Sequence, residues 1–395
     1  MQQKKRWIAY VGPFLFPWGQ PGSRRVCGIA RSFADAGYDV IVGSGGAELS
    51  LPALLDEGEA LGSITYLGLG EVSLQRLSLV DKLLQLMHWG ARTVAWLDSQ
   101  SNKPSYIVVY GGNAQYMFRL LPWCRRNNVP LIVDVVEWYD ASHMTGGFFG
   151  PSHISAKIAM HYYYPKCDGI IAISSYLAEY YSQRGCTVIT VPPTLDIKNH
   201  RLIFHDESVD QSRLTLVYAG TPGKKDLLAN IICGIAQIDP NGERVQLLVM
   251  GPSLEQVKQL LHGSNPPAFV QVLGRIPQTE VAENIRQSDF SILLREPLRF
   301  AQAGFPTKFV ESMANGTPVM ANLTSDLGRY LHDGVEGLVC RDHSASAFAE
   351  TLQRALLLTA KQRQEMRYAA HKQAENSFDF RNYIDSLSDF LNEVR

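Results

Sequence analysis

The sequence lacks several features by which common protein classes are recognised. Its formal net charge is -1, from 37 Lys and Arg against 38 Asp and Glu. Binding to a phosphate backbone needs a clear excess of cations, so this balance argues against nucleic acid as a general partner. No apolar run reaches the roughly 18 residues that a membrane-spanning helix needs. The basic cluster at positions 4–6 leads directly into a core strand, which is not the pattern of a signal peptide.

Cysteine and metal-binding patterns are equally sparse. The 6 cysteines stand singly inside apolar segments without a CxxC pair, which is typical of buried thiols in a reducing compartment. We therefore expect a cytoplasmic protein. The 10 histidines include no HExxH motif, and no DxD pair of carboxylates occurs. The sequence thus predicts neither a metal site nor an organic cofactor.

The first half of the chain predicts a doubly wound α/β domain. An apolar run at 7–11 ends at a glycine, a loop rich in Pro and Gly follows, and a helical pattern precedes the strand at 39–43. Such sheets bind ligands beyond the carboxyl ends of their strands. The dinucleotide fingerprint GxGxxG is missing, which argues against an NAD enzyme. Arg24 and Arg25, at the start of the helix, either meet an anionic ligand or face solvent.

Two further segments of this half leave alternatives open. The amphipathic pattern at 74–97 predicts a long helix that either covers the sheet or lies at a membrane surface, and burial is the expectation. The loop at 138–149, rich in Gly and aromatic residues, follows a predicted strand at 130–136. It is either a shape-selective binding surface or a structural Ω-loop.

A second α/β series begins after a polar stretch at 196–212 that has the composition of a linker. The strand at 214–219 opens into a glycine turn that carries Lys224 and Lys225 just before a helix. Backbone amides, the helix dipole and two ammonium groups at one place predict an anion site, with a solvated lysine pair as the alternative. Strands at 245–251, 270–274 and 290–294 continue the sheet, and a last helical pattern covers 380–394.

The stretch AGFPTKFVE at 303–311 follows a polar connection of the kind that is more often functional than accidental in a compact domain. Pro306 and Thr307 predict the start of a helix, with Thr307 as its cap, and Asn315 with the next glycine predicts its end. Lys308 and Glu311 then share a polar face with Thr307 and Asn315. That face either points at a ligand or carries an ordinary exposed pair.

The order of these motifs resembles the retaining GT-B glycosyltransferases of the group 1, family 4-like kind, over almost the whole chain. The matching pieces are FPWGQPGS, CDGIIAISSYLAEYY, YAGTPGKKDLL, LGRIPQTEVAENIRQSDFSILL, FVESMANGTPVMA and DGVEGLV. The resemblance implies two Rossmann-like parallel-sheet domains facing a cleft, with a C-terminal helix crossing back to the first domain. The implied ranges are 1–198 for the acceptor side, 199–376 for the nucleotide-sugar side and 377–395 for the last helix.

The resemblance also implies roles for particular residues. Catalytic positions are expected at Lys224, Lys225 and Glu137, and donor-binding positions at Gly22, Gly220, Thr221, Arg295, Gly304, Phe305, Thr307, Lys308 and Glu311. Lys308 is extra relative to the family's pattern, and its role and that of Arg295 as counter-ions are inferred from charge instead of from the family. Glu311 matches the second glutamate of the two-glutamate motif, which implies that it holds the nucleotide ribose. The position of the first glutamate holds Ala303, so a donor-sugar contact that the family usually provides is absent. Thr221 likewise replaces the more frequent Arg.

The implied activity is metal-independent transfer of a sugar from a nucleotide-diphosphate sugar to a glycan or lipid-linked acceptor, with retention at the anomeric carbon. Synthesis of a polysaccharide or glycoconjugate and a peripheral contact at the inner membrane face are further expectations. Two alternatives remain, a nucleotide-sugar epimerase and a non-catalytic nucleotide-binding relative, the latter because of Ala303. The donor base, the sugar and the acceptor do not follow from the sequence.

Overall fold

The computed structural model places its atoms in two compact α/β units. Unit 1 consists of Met1–Thr194 and Phe380–Arg395, and unit 2 of Leu195–Asp379. The structure describes residues 6–17, 21–46, 50–55, 59–72, 87–144, 146–200, 202, 213–220 and 226–394. The two units are connected twice, because the last helix of the chain belongs to the first unit.

Unit 1 is built on a sheet of eight strands in the order β3-β4-β2-β1-β5-β6-β7-β8. All pairs are parallel except β3 with β4. The strands are β1 Trp7–Val11, β2 Asp39–Ser44, β3 Ser50–Leu55, β4 Glu59–Gly68, β5 Tyr106–Tyr110, β6 Leu131–Val135, β7 Gly169–Ala172 and β8 Val188–Thr190. Strands β1 and β6 are buried along their whole length, as expected for parallel strands covered on both faces.

The helices of unit 1 are α1 Pro21–Asp35, α2 Ala91–Ser99, α3 Ala114–Asn127, α4 Pro151–Ile158 and α5 Ser175–Ser182. Each begins where local chemistry allows it. Asn113 caps α3 by accepting a hydrogen bond from the Tyr116 amide, and Ser174 caps α5 in the same way through the Leu177 amide. Helix α4 begins at Pro151 and continues into a π-helical turn, Ala159–Tyr163.

Unit 2 is built on a fully parallel sheet of six strands in the order β11-β10-β9-β12-β13-β14. The strands are β9 Leu214–Ala219, β10 Val245–Met250, β11 Val270–Gly274, β12 Phe290–Leu293, β13 Val319–Asn322 and β14 Gly337–Cys340. The helices are α6 Leu228–Ile238, α7 Leu254–Leu260, α8 Gln278–Gln287, α9 Arg299–Ala303, α10 Thr307–Ala314, α11 Ala345–Leu356 and α12 Ala360–Phe378. The predicted fold class, two α/β units with parallel sheets, is confirmed.

The direction of winding reverses between β1 and β5 in unit 1 and between β9 and β12 in unit 2. At such a switch point the connections leave in opposite directions, and a crevice opens beyond the carboxyl ends of the strands. The topology therefore predicts one ligand-binding edge in each unit, and in unit 2 it lies where β9 and β12 end.

The last helix, α13 Ile384–Glu393, packs on unit 1. Leu387, Phe390 and Leu391 belong to the same buried cluster as the strands β1 and β2 and the helix α1. The Tyr106 hydroxyl donates to the Leu391 carbonyl oxygen over 2.8 Å. A Cβ at Gly169 would lie 2.6 Å from the Phe390 ring, so a glycine at this position allows the helix to approach β7.

Several predicted elements differ from the structure. The antiparallel edge strand β3 was not predicted. The connection before α10 contains the short helix α9, which was not predicted either. Most of the long helix predicted at 74–97 lies outside the described residues, and its last part is α2. Short elements are decided by packing more than by periodicity, which explains these differences.

Candidate functional site

Four side chains meet at the carboxyl ends of β9 and β12. The Asp226 carboxylate accepts a hydrogen bond from the Arg295 Nε over 2.8 Å, from the Tyr218 hydroxyl over 3.0 Å and from the Lys308 ammonium group. Asp226 and Arg295 also form an isolated backbone bridge. The cluster lies at the switch point of the unit 2 sheet, where the fold predicts a ligand. We call these four residues the Asp226 cluster.

Neighbouring side chains position the two cationic residues of this cluster. The Arg295 amide donates to Asn322 Oδ1 over 2.9 Å, and Asn322 Nδ2 donates to the Arg295 carbonyl oxygen over 2.8 Å. Lys308 is the second residue of α10, and its Nζ lies 4.4 Å from the centre of the Tyr218 ring. A Cβ at Gly220 would be 2.5 Å from that Nζ, so a larger residue after β9 would displace the lysine ammonium group.

The cluster is largely removed from water. The exposed fractions are 7% for the Asp226 side chain, 12% for Arg295 and 16% for Lys308. Burial by itself raises the pKa of Asp226, but Lys308 and Arg295 outweigh it and hold that pKa well below its ordinary value. Burial lowers the pKa of Lys308; Asp226 opposes this effect and Arg295 adds to it, and the pKa is lowered overall.

Charge balance gives the cluster its chemical character. Two cations share one carboxylate, so the charged groups sum to one net positive charge, and Tyr218 stays a neutral donor because burial and Asp226 raise its pKa. A positive charge that is only partly neutralised and poorly hydrated attracts an anion strongly. The arrangement suits a phosphate or diphosphate.

Helix α10 carries the remaining polar face that the sequence predicted. Thr307, Lys308 and Glu311 are partly exposed while Phe309, Val310 and Met313 are buried, and Glu311 lies close enough to raise the pKa of Lys308. Two details of that prediction are wrong. The N-cap is Pro306 without a side-chain bond, so Thr307 is the first helical residue rather than the cap, and Asn315 is buried.

The residues before α10 are part of the core or of its turns. The Phe305 ring packs against Phe309, Tyr330 and Phe378, so its side chain stabilises the unit. Gly304 follows α9 directly, and its amide donates to the Phe300 carbonyl oxygen. Ala303, at the position of the missing glutamate, is fully buried.

Gly22 and Glu137 each lie near Tyr110, at the corresponding edge of unit 1. A Cβ at Gly22 would lie 2.7 Å from the Tyr110 hydroxyl. Burial, then Asp134 and Tyr139, raise the pKa of Tyr110, and Glu137 contributes as well. Burial and Glu137 likewise raise the pKa of Tyr139. Glu137 is therefore close enough to Tyr110 and Tyr139 to help keep both phenols protonated.

Other predicted positions have different outcomes. Thr221, Lys224 and Lys225 lie outside the described residues. Arg25 neither meets a ligand nor faces solvent, because it forms a buried ion pair with Asp134. No group of three or more His, Cys, Asp or Glu side chains in the described part of the chain could hold a metal ion.

Sequence reasoning missed Asp226 and Tyr218. Both flank the predicted glycine turn, one as the last acidic residue before α6 and the other inside β9. An acid next to two lysines gave a signal, yet its partners Arg295 and Lys308 lie 69 and 82 residues away. Only the parallel pairing of β9 with β12 brings them together.

Residues 201–373, almost all of unit 2, match the family model described as "Glycosyl transferases group 1". Among curated proteins, no sequence matches the chain. This part of the chain therefore resembles a group 1 glycosyltransferase domain, and its matched range contains the complete Asp226 cluster.

Solved structures share the fold over nearly the whole chain. Similarity to a sucrose-phosphate synthase from Thermosynechococcus elongatus covers 99% of each chain, with a TM-score of 0.77 and 14% identity. Anabaena HepE in complex with UDP-glucose covers 98% of this chain and 99% of its own, with a TM-score of 0.67 and 14% identity. The apo lipopolysaccharide outer core galactosyltransferase WaaB covers 98% and 99%, with a TM-score of 0.62 and 15% identity. The fold is that of GT-B glycosyltransferases.

Proposed function

We propose that this GT-B chain is a glycosyltransferase that moves a sugar from a nucleotide-diphosphate sugar to a glycan or lipid-linked acceptor, with retention at the anomeric carbon. Its place is in polysaccharide or glycoconjugate synthesis, in the cytoplasm. The observation that carries the proposal is the Asp226 cluster, a net positive group at the switch point of a unit that matches a glycosyltransferase family model.

The Asp226 cluster would act on the leaving group. Breaking the glycosidic bond leaves negative charge on the diphosphate, and fixed cations that face this charge lower the barrier. Lys308 and Arg295 are held by Asp226 before any ligand arrives, so little reorganisation is needed when the charge develops. Lys224 and Lys225, which the sequence pattern assigns to a glycine turn, would add two further cations without a bound metal.

The donor nucleotide would be held by α10. Its first turn offers backbone amides at Thr307 and Lys308, which favour an anion together with the helix dipole. Glu311, one turn further, would accept hydrogen bonds from the ribose hydroxyls. Gly304 and Gly220 would let the backbone approach the diphosphate, as the resemblance implies.

The acceptor is proposed to bind at unit 1. Glu137 lies beyond β6 near two half-buried phenols, those of Tyr110 and Tyr139, where a carboxylate can orient an acceptor hydroxyl. In a retaining mechanism the departing phosphate itself would take the acceptor proton. Gly22, at the same edge, is proposed to contact the donor, and its missing side chain leaves room for the Tyr110 hydroxyl.

A thermal-shift panel of nucleoside diphosphates tests the central claim. The UDP-glucose bound in Anabaena HepE makes UDP the first nucleotide to try. A ligand at 100 times its dissociation constant adds roughly 2.7 kcal/mol to the free energy of unfolding, which a melting experiment resolves easily. If no diphosphate of any base shifts the melting temperature, the proposal fails.

A non-catalytic nucleotide-binding protein is the second candidate. Buried Ala303 replaces the glutamate that would contact the donor sugar, which favours this reading. Nucleotide binding without release of diphosphate across a broad panel of donors and acceptors would support it. Alteration of the donor sugar without any acceptor would instead indicate an epimerase.

A further inference from the structure

Unit 1 carries a cluster of exposed apolar side chains that the proposed transfer chemistry does not use. Of the thirteen large hydrophobic side chains that are exposed in the described residues, five lie between Phe148 and Tyr162. Phe149 is 84% exposed. Single exposed apolar residues are common, but a concentration of them marks a contact surface. We call the following set the aromatic-basic face: Phe148, Phe149, Ile154, Lys157, Ile158, Tyr162 and Lys166.

This face is built on one helical segment. Ile154, Ile158 and Tyr162 follow one another at intervals of four along α4 and its π-helical turn, so they point to the same side. The opposite side holds buried Ala156, Ala159 and Met160 and packs against α3. One side of the segment is therefore buried in the unit, and an apolar side remains exposed to solvent.

Lysines are interleaved with the exposed rings. The Lys157 Nζ lies 5.3 Å from the centre of the Phe148 ring, and the Lys166 Nζ lies 3.1 Å from that of Tyr162. Lys166, and more weakly Arg125 on α3, lower the pKa of Tyr162. The cations are thus placed among the aromatic groups rather than on a separate surface.

The local charge is unlike that of the chain as a whole. Neither the segment 141–167 nor helix α3 contains a single Asp or Glu, while together they hold Arg119, Arg125, Arg126, Lys157 and Lys166. The whole chain has a formal net charge of -1. An apolar segment that carries cations and no acid of its own complements a partner that is apolar and anionic.

The shape of the face indicates a broad partner. A surface groove of about 160 Å³ is lined by Phe148, Phe149, His153, Ile154, Lys157 and Ile158. Sites for soluble small molecules usually occupy about 300–1,000 Å³ and enclose their ligand. The groove is too small for such a site, and the Phe149 side chain that lines it remains largely exposed.

We propose that the aromatic-basic face docks unit 1 on a lipid bilayer that contains anionic headgroups. The phenylalanine and isoleucine side chains enter the boundary between headgroups and acyl chains, and the lysines pair with lipid phosphates. No helix of the described chain is long and apolar enough to cross a membrane, so the contact is peripheral. The proposal goes beyond sugar transfer and does not depend on it.

Flotation of the full chain with lipid vesicles tests the proposal without donor or acceptor. We expect binding to equimolar phosphatidylcholine and phosphatidylglycerol, little binding to phosphatidylcholine alone, and weakening by salt. Replacing Phe148 and Phe149 together by Ser, or Lys157 and Lys166 together by Glu, should each weaken binding by at least about tenfold.

Unit 2 offers matched control variants. Leu357→Ser with Tyr368→Ser removes two side chains that are exposed to 83% and 55%, and Lys361→Glu with Lys372→Glu reverses two exposed lysines. These variants should bind vesicles like the unmodified chain. Absence of binding, equal binding to both vesicle types, or equal losses in test and control variants would each overturn the proposal.

Light scattering without vesicles tests whether the aromatic-basic face instead binds a second copy of the chain. A monomer that stays a monomer in every variant supports the bilayer. A dimer that the Phe148→Ser, Phe149→Ser variant dissociates would assign the face to a second copy of the chain and overturn membrane docking.

Discussion

The two units contain similar buried ion clusters that have opposite characters. In unit 1, Asp134 at the end of β6 accepts hydrogen bonds from Arg25 over 2.6 and 2.8 Å and from the Tyr10 hydroxyl over 2.6 Å. In unit 2, Asp226 is bonded to Arg295, Lys308 and Tyr218. Each cluster combines a carboxylate with a tyrosine from the first strand of its sheet.

Charge and access separate the two clusters. Arg25 and Asp134 are 2% and 0% exposed, their charges cancel, and Arg25 also donates to the Val191 carbonyl oxygen. The Asp226 cluster has one cation more than it has anions and is partly open. A neutral, sealed pair can only join parts of the fold, whereas an unbalanced and accessible one can attract a ligand.

The largest expected effect is on unit 1. Arg25→Met leaves the Asp134 carboxylate buried without its cation, and loss of one partner of a buried pair costs about 3–5 kcal/mol in free energy of unfolding. Denaturant unfolding measures it, with Arg24→Met, its partly exposed neighbour, as control. The double variant Arg25→Met, Asp134→Asn should lower the free energy of unfolding less than Arg25→Met alone. If Arg25→Met and Arg24→Met lowered the free energy of unfolding equally, the Arg25–Asp134 pair would not be the structural pair that we contrast with the Asp226 cluster.

The next largest effect separates binding from stability in unit 2. Lys308→Ala should lower sugar transfer by about 10²–10³, because it removes a group that stabilises the leaving diphosphate. The free energy of unfolding should fall less than in Arg25→Met, because Arg295 still neutralises Asp226. Turnover and unfolding are measured on the same preparation, with Lys258→Ala, from the surface pair with Glu255, as control. A large stability loss with unchanged turnover would make this cluster structural, like that of Asp134.

The smallest effect concerns the acid dependence of stability. The pKa of Asp226 is lowered below its ordinary value of 3.8 in the folded chain, so its stabilisation is complete above that pH and is lost as the pH falls further. Asp226→Asn should therefore cost about 1.5–3 kcal/mol at neutral pH. The difference from the unmodified chain should shrink below pH 3.8. Unfolding measured from neutral pH to pH 3 checks this, with Glu255→Gln as control; a constant difference would contradict the assigned pairing.

The polar stretch around α10 shows how far the sequence reached. Its helix, its end at Gly316 and the division into a buried and a polar face were predicted and are observed. The cap at Thr307 was wrong because the chain already turns at Pro306. The interpretation of Arg25 was also wrong, because its partner Asp134 lies 109 residues away and local periodicity carries no information about such a pair.

The sequence by itself determined the alternation of strands and helices, the two α/β units and the glycine turns at the ends of their strands. These follow from burial of apolar runs and from local backbone chemistry, which neighbouring residues specify. Only the tertiary structure decided which charges meet. Strands β9 and β12 pair across about seventy residues, and their pairing brings Arg295 and Lys308 to Asp226. At the corresponding edge of unit 1, Arg25 is instead buried in its pair with Asp134. The same residue types thus became a candidate anion site in one unit and a structural ion pair in the other.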